Sequence, residues 1–275
     1  MLIVHLSDLH VRPAGRAVAA NAMAERALRT VAGLDPRPDA VVITGDLTET
    51  GDEAEYARVR DLLRGLAPCP VYVIPGNHDR RESFRAALGG LPGVAGDPPF
   101  VPPFVQYEAD IGPLRLIMLD SVVEGASHGL LCPRRLGFLE QALTRARGRP
   151  VLVGLHHPPL RSGLAALDAI ALREPDEFLA LLAGHGQVLA VLSGHHHRMI
   201  VGRHGGTSLL TAPAASGQQA ALSFAADAPP LFHLEPGGFF LLRWHEADGL
   251  AAHLVLTGDF PGPFPVGGTQ APASA

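Results

Sequence analysis

The sequence predicts an α/β layered protein, and three observations carry that prediction. Short, β-branched apolar runs recur and end in turn residues. Stretches of helical period alternate with them through the first two-thirds of the chain. After residue 200 the strand-like runs continue without long helices, which predicts a second sheet packed on the first.

Taken in order, LIVHL (2–6) reads as a buried strand and ANAMAERALRTVAGL (20–34) as a helix. AVVIT (40–44) is the second strand. The helix over 52–66 opens with acids in its first turn, which suits its positive end. VYVI (71–74) is the third strand. Residues 89–113 are rich in Gly and Pro and predict an irregular excursion before LRLIML (114–119). A helix over 133–146, VLVGL (151–155), a helix over 174–185 and VLAVL (188–192) follow. SLLTAPA, GGFFLLRW and GLAAHLVLTG are the later strands. Residues 1–260 read as one domain that includes the β-rich C-terminal segment, and 261–275 as a loose tail.

Composition narrows the function. The chain has 275 residues, 47% hydrophobic, enough for one large core. A net charge of −5 with no basic stripe excludes long nucleic acids as partners. All 22 basic residues are arginine, which excludes a Walker A lysine and Schiff-base catalysis. Cys69 and Cys132 do not make a disulfide framework and read as reduced thiols. The opening MLIVHLSD has no basic n-region, and no apolar run is long enough for a bilayer. A cytoplasmic protein without a membrane partner is expected.

The chemistry sits just past the strands. LIVHL runs into Asp8-Leu9-His10, AVVIT into Gly45-Asp46, and VYVI into Gly76-Asn77-His78-Asp79. VLVGL runs into His156-His157-Pro158, and VLAVL into Gly194-His195-His196-His197. Ligands of open α/β sheets bind at the carboxyl ends of strands. In extended chain, residues two apart share a side. Asp8 and His10 are therefore expected to face inward together, as are His195 and His197, with His196 facing out. Four imidazoles, two carboxylates and an amide suit Zn, Fe, Mn or Co better than Ca or Mg. Seven ligands are too many for one ion and suit two, bridged by Asp46. Such a pair clamps an in-line displacement at phosphorus, with a bridging hydroxide as nucleophile. The neutral amide of Asn77 is the ligand that yields to substrate. His78 is placed to bind a phosphate oxygen or to protonate the leaving alkoxide.

The set D-x-H, G-D, G-N-H-D, H-H-P-P and G-H-x-H resembles the calcineurin-like metallophosphoesterase superfamily. In detail it resembles the branch of bacterial class III cyclic-nucleotide phosphodiesterases and binuclear glycerophosphodiesterases. The resemblance runs from HLSDLH through FHLEPGGFFL to FPGPF. It implies a four-layer αββα sandwich of two mixed sheets flanked by helices. It implies one ion at Asp8, His10, Asp46 and His197 and a second at Asp46, Asn77, His156 and His195, with His78 on the phosphate. It also implies a homo-oligomer, a dimer or larger, built partly through the C-terminal region. The expected activity is hydrolysis of a small phosphodiester, a cyclic nucleotide or a glycerophosphodiester. Rival readings are a phosphomonoesterase or nuclease on the same site, or a catalytically silent interaction module. The chain departs from the glycerophosphodiesterases in TAPAASGQQ, which lacks their further pocket histidine. The short VRPAGRAVAAN lacks their tyrosine.

Other candidates have plainer readings. His5 reads as a core residue; His128, His185, His204, His233, His245 and His253 read as structural or exposed. His157 either shapes the pocket or supports His156. Asp79 supports its loop, Asp120 is turn chemistry, Asp168 reaches the pocket only in a minority reading, and Arg161 is solvated.

Overall fold

The computed structural model describes residues 1–13, 15, 18–95 and 103–264. The chain runs β1 (Leu2–Leu6), α1 (Val18–Ala32), β2 (Ala40–Thr44), α2 (Glu53–Arg64), β3 (Val71–Ile74), α3 (Arg81–Leu88), β4 (Tyr107–Ile111) and β5 (Leu114–Met118). It continues α4 (Pro133–Arg145), β6 (Val151–Gly154), α5 (Ala165–Asp168), α6 (Pro175–Ala183), β7 (Val188–Ser193), β8 (Ile200–His204) and β9 (Thr207–Thr211). It ends β10 (Gln218–Ala220), β11 (Phe232–Leu234), β12 (Gly237–His245) and β13 (Gly249–Thr257).

Two mixed sheets form the centre, in the orders β13-β12-β1-β2-β3 and β4-β5-β6-β7-β9-β8. Strand alternation explains their layering. Ile3 and Val42 point between the sheets, where they meet Leu116, Leu152 and Leu192 of the second sheet. Val4, Val41 and Ile43 point the other way, onto Leu28 of α1 and Val59 of α2. Val153 and Val191 cover the outer face of the second sheet and pack on Leu139 of α4 and Phe178 of α6. The central parallel strands are therefore apolar on both faces, and the result is the αββα sandwich.

Two expectations need correction. The late strands do not make the second large sheet; among the described residues only β10 and β11 pair apart, as a two-stranded antiparallel ribbon. β12 adds antiparallel to the free edge of β1, and β9 adds parallel to β7, so each central sheet grows by two late strands. The excursion over 89–113 contains an edge strand, β4, whose buried Tyr107 and Ile111 flank more exposed residues. Residues 96–102 of that excursion and 265–275 of the expected tail lie outside the described residues.

β1, β2 and β3 run parallel, as do β6 and β7 in the other sheet. Their carboxyl ends bring all five motif-bearing loops to one rim, from two sheets rather than from one.

Candidate metal centre

The loops reach that rim by a route that alternation did not foresee. Asp8, His10, Asp46, His195 and His197 have φ of 56, 45, 50, 67 and 47°, in the left-handed region. Asp and His tolerate this region better than most residues, yet each such residue remains a local strain. The strain is held by backbone pairing: Asp8 N–H donates to Gly45 O at 3.1 Å, His10 N–H to Asp46 O at 3.0 Å and Val11 N–H to Leu47 O at 3.0 Å. Glycine makes the close approach possible. A Cβ on Gly194 would lie 1.8 Å from Ser7 Oγ and 2.5 Å from Asp8 Oδ2. One on Gly76 would lie 2.2 Å from Asp46 Oδ1.

Two carboxylates are buried at the centre. Both oxygens of Asp8 accept from His195 N–H, at 3.1 and 3.0 Å. Asp46 Oδ1 accepts from His78 N–H at 2.9 Å. Its Oδ2 is 3.2 Å from His156 Nε2 and 3.6 Å from His10 Nε2. Burial alone would raise the pKa of Asp46, but the neighbouring His156, and His10 behind it, hold the carboxyl well below its ordinary value.

The histidine tautomers can be read from their outer contacts. His10 Nδ1 meets Glu49 Oε2 at 2.9 Å, His156 Nδ1 meets Thr44 O at 2.7 Å and His197 Nδ1 meets Gln218 O at 2.8 Å. An oxygen of this kind only accepts, so each Nδ1 carries the proton and each neutral ring turns an Nε2 lone pair inward. His195 is the reverse: Nε2–H donates to Ile170 O at 3.0 Å, which leaves Nδ1 as its lone pair.

These lone pairs face other acceptors. His10 Nε2 is 3.0 Å from His197 Nε2, His197 Nε2 is 3.3 Å from Asp8 Oδ1, and His156 Nε2 is 3.1 Å from Asn77 Oδ1. Acceptors at such distances need a proton or a cation among them. The carboxylates favour a proton on the rings against the effect of burial: Asp46 lifts the pKa of His156 to about 9, and Asp8 raises that of His197. Donor atoms about 3 Å apart also match ligands that each sit ~2.0–2.2 Å from a shared ion. The residues therefore fit a divalent metal. Among the described residues three sets could hold one: Asp8, His10, Asp46 and His197; His156, His157 and His195; and His10, Glu49 and His78.

The structure thus gathers all seven residues expected from the sequence at one rim, with His78 beside them. His196 does not face out as expected. It is 1% exposed, because left-handed residues on either side break the alternation. Burial lowers its pKa to about 4. His157 packs within the cluster, its ring 4.8 Å from that of His156 and 4.6 Å from that of His195. Its Nδ1 meets Ser121 Oγ at 2.8 Å, and its Nε2 is buried without a hydrogen-bond partner.

Asp79 ties loops together, accepting from Leu47 N–H, Thr48 N–H, Gly76 N–H and the Tyr56 hydroxyl. Asp120 makes its turn to Val122 N–H and also a bidentate pair with Arg81. Asp168 caps its own loop through Ser162 and Gly163 N–H, and Arg161 is exposed. His5 is a core residue bonded to Thr44.

Above the polar floor of Asp46, Asn77 and His78 opens a pocket of about 230 Å³, walled by Leu167, Ile170, Leu231 and Phe232. Sequence reasoning missed this wall and also missed Glu49. The only sequence signal for Glu49 was its place three residues after Asp46.

Residues 1–199 match the family described as calcineurin-like phosphoesterase. The chain belongs to that family. This calcineurin-like phosphoesterase is 34% identical over 270 residues to the Arcobacter nitrofigilis protein named "Probable glycerophosphodiester phosphodiesterase GpdQ", covering 96% of each chain. It is 33% identical over 219 residues to the 3',5'-cyclic adenosine monophosphate phosphodiesterase CpdA of Pseudomonas aeruginosa, over 78% of this chain and 75% of that protein. A dimetal phosphatase from Danio rerio shares the fold, with a TM-score of 0.61 and 16% identity over 94% of this chain and 99% of that one.

Proposed function

We propose that this chain is a binuclear metal-dependent phosphodiesterase acting on a small phosphodiester, a cyclic nucleotide or a glycerophosphodiester. One observation carries the reading. A single buried oxygen, Asp46 Oδ2, stands between the Nε2 atoms of His156 and His10. That is the arrangement expected of a carboxylate that bridges two ions. Asp8, His10, Asp46 and His197 would hold one ion, and Asp46, Asn77, His156 and His195 the other. Fe, Mn, Zn and Co all suit these donors. When bound, such a pair lowers the pKa of water to ~7 and offsets charge on phosphoryl oxygens.

The chain's own residues do the remaining work. Asn77 presents a neutral amide oxygen that yields to substrate. His78 Nδ1–H donates to Glu49 O at 2.8 Å, which leaves Nε2 to bind a phosphate oxygen or deliver a proton to the leaving alkoxide. Leu167, Ile170, Leu231 and Phe232 offer an apolar wall to the ester arm. The names of the two relatives, one for glycerophosphodiesters and one for cyclic AMP, support the substrate class.

The proposal extends to assembly. Residues 1–260 act as one domain, and the chain forms a homo-oligomer in the cytoplasm. Exposed Leu222, Phe224, Leu254 and Leu256 support the oligomer. Two free cysteines support a reducing compartment. Among the described residues no helix is long and apolar enough to cross a membrane.

The test is a substrate panel after metal removal and reconstitution with Mn, Co, Fe or Zn. It includes bis(p-nitrophenyl) phosphate, cyclic AMP, cyclic GMP, glycerophosphoethanolamine and simple phosphomonoesters. Diester hydrolysis that chelator abolishes is the expected result. Faster turnover of monoesters would favour a phosphomonoesterase, and no turnover with any metal would favour a silent module.

A further inference from the structure

Glu49 sits outside the seven expected ligands, yet it touches both halves of the machinery. Its carboxylate oxygen Oε2 is 2.9 Å from His10 Nδ1. Its main-chain carbonyl is 2.8 Å from His78 Nδ1. The other carboxylate oxygen, Oε1, pairs with Arg12 at 2.8 Å. Its N–H donates to Val11 O at 3.2 Å, beside the bridge between Val11 and Thr48. Residue 49 is therefore fixed at both ends before it orients either ring.

We infer that Glu49 is the positioning residue of this site, with its side chain setting His10 and its backbone setting His78. The inference rests on the metal-dependent reading proposed above. The physical argument has two parts. A carboxylate on Nδ1–H holds His10 as the tautomer whose Nε2 lone pair faces Asp8, Asp46 and His197, and it fixes the angle of the ring. The carbonyl does the same for the tautomer and ring angle of His78, but it belongs to the main chain and survives any side-chain change. The two rings lie edge to face, with centroids 4.8 Å apart, so one residue sets their mutual orientation as well.

The division between side chain and backbone makes the idea testable. Glu49→Ala removes the partner of His10 and leaves the carbonyl under His78. Glu49→Gln keeps an acceptor for His10 Nδ1–H but loses the negative charge and the ion pair with Arg12. Metal-free protein is titrated with Co²⁺ by calorimetry, with His10→Ala as the reference that identifies which binding step depends on His10.

In Glu49→Ala that step weakens by ~10–100-fold, the range for loss of a partner behind a metal-ligating histidine. The other step is unchanged. Glu49→Gln recovers part of the loss. At saturating Co²⁺ the KM of Glu49→Ala for bis(p-nitrophenyl) phosphate stays within about twofold of wild type, and kcat carries the deficit. Thermal melts confirm that both variants are folded.

A Glu49→Ala titration that superimposes on wild type overturns the inference. So does a loss confined to the step that His10→Ala retains, or a Glu49→Gln variant as weak as Glu49→Ala. Wild-type protein that takes up no Co²⁺ overturns the metal-dependent reading and this inference with it. Two-step uptake by wild type with an indifferent Glu49→Ala sinks the inference alone.

Discussion

The strand-end loops and the C-terminal stretch from 199 to 264 treat water in opposite ways. The loops bury charge: Asp8 is 0% and Asp46 1% exposed, among rings that are mostly buried too. The later stretch exposes oil. Among the described residues, every exposed large hydrophobic side chain lies between Met199 and Phe264, with Phe224 at 70% and Leu231 at 62%. Each region is unbalanced taken alone. Desolvating a carboxylate costs several kcal/mol unless a counter-charge joins it, and an apolar side chain left in water forgoes ~1.5–3 kcal/mol. One region calls for a cation and the other for a covering surface.

Five experiments sharpen or break that contrast. The largest effect is expected at Asp46, the carboxylate proposed to be shared. Asp46→Ala should lose both ions, by elemental analysis, and diesterase activity should fall to background; two retained ions would undo the bridging role. Next comes His78→Ala, expected to keep its metal and lose ~10²–10⁴-fold in kcat, as for general acid–base groups. Loss of metal there would make His78 a ligand.

For the exposed region, Leu254→Asp combined with Leu256→Asp should weaken the proposed self-association by ~10²-fold or more in sedimentation while metal content holds. The estimate follows from two buried leucines at ~1.5–3 kcal/mol each. An unchanged assembly would move the interface elsewhere.

Gly194→Ala should destabilise by ~1–3 kcal/mol in urea titration, because its Cβ meets Ser7 and Asp8. The last effect is absent at neutral pH and appears only in acid. Burial lowers the pKa of His5 to about 3, against an ordinary value of 6.5. The unfolded chain therefore binds a proton first, and this stability is full above ~6.5 and lost as pH falls toward ~3. His5→Gln should flatten that part of the stability profile; an unchanged slope would show that His5 is not a source of it.

The sequence made the loops legible because their chemistry is dense and follows strands. Asp8, His10, Asp46 and Gly194-His195-His196-His197 each stand directly after an apolar run, and the helices near 20–34 and 52–66 fall within a few residues of α1 and α2. The inward pairing of Asp8 with His10 was reached through an extended-chain argument, whereas the backbone there is left-handed. The same argument failed outright at His196. Alternation is a rule for sheets, and these residues have already left the sheet. Glu49 and Phe232 were illegible for another reason. Their role depends on which loop lies opposite, and neighbours in space leave no mark on spacing along the chain. The split of the late strands between two sheets hid in the same way, since β12 and β13 are strand-like whichever edge they join.

The grip of Asp8 on the His195 amide joins residues 187 positions apart. During synthesis the two aspartates and His10 emerge long before His195 and His197. Until that last motif docks, the socket has only one wall. A nascent chain therefore presents scattered single ligands, which hold cations weakly, and full capture waits for the closed sandwich. On the metal-dependent reading proposed above, loading follows folding, and the supply of metal at that moment selects the ions carried.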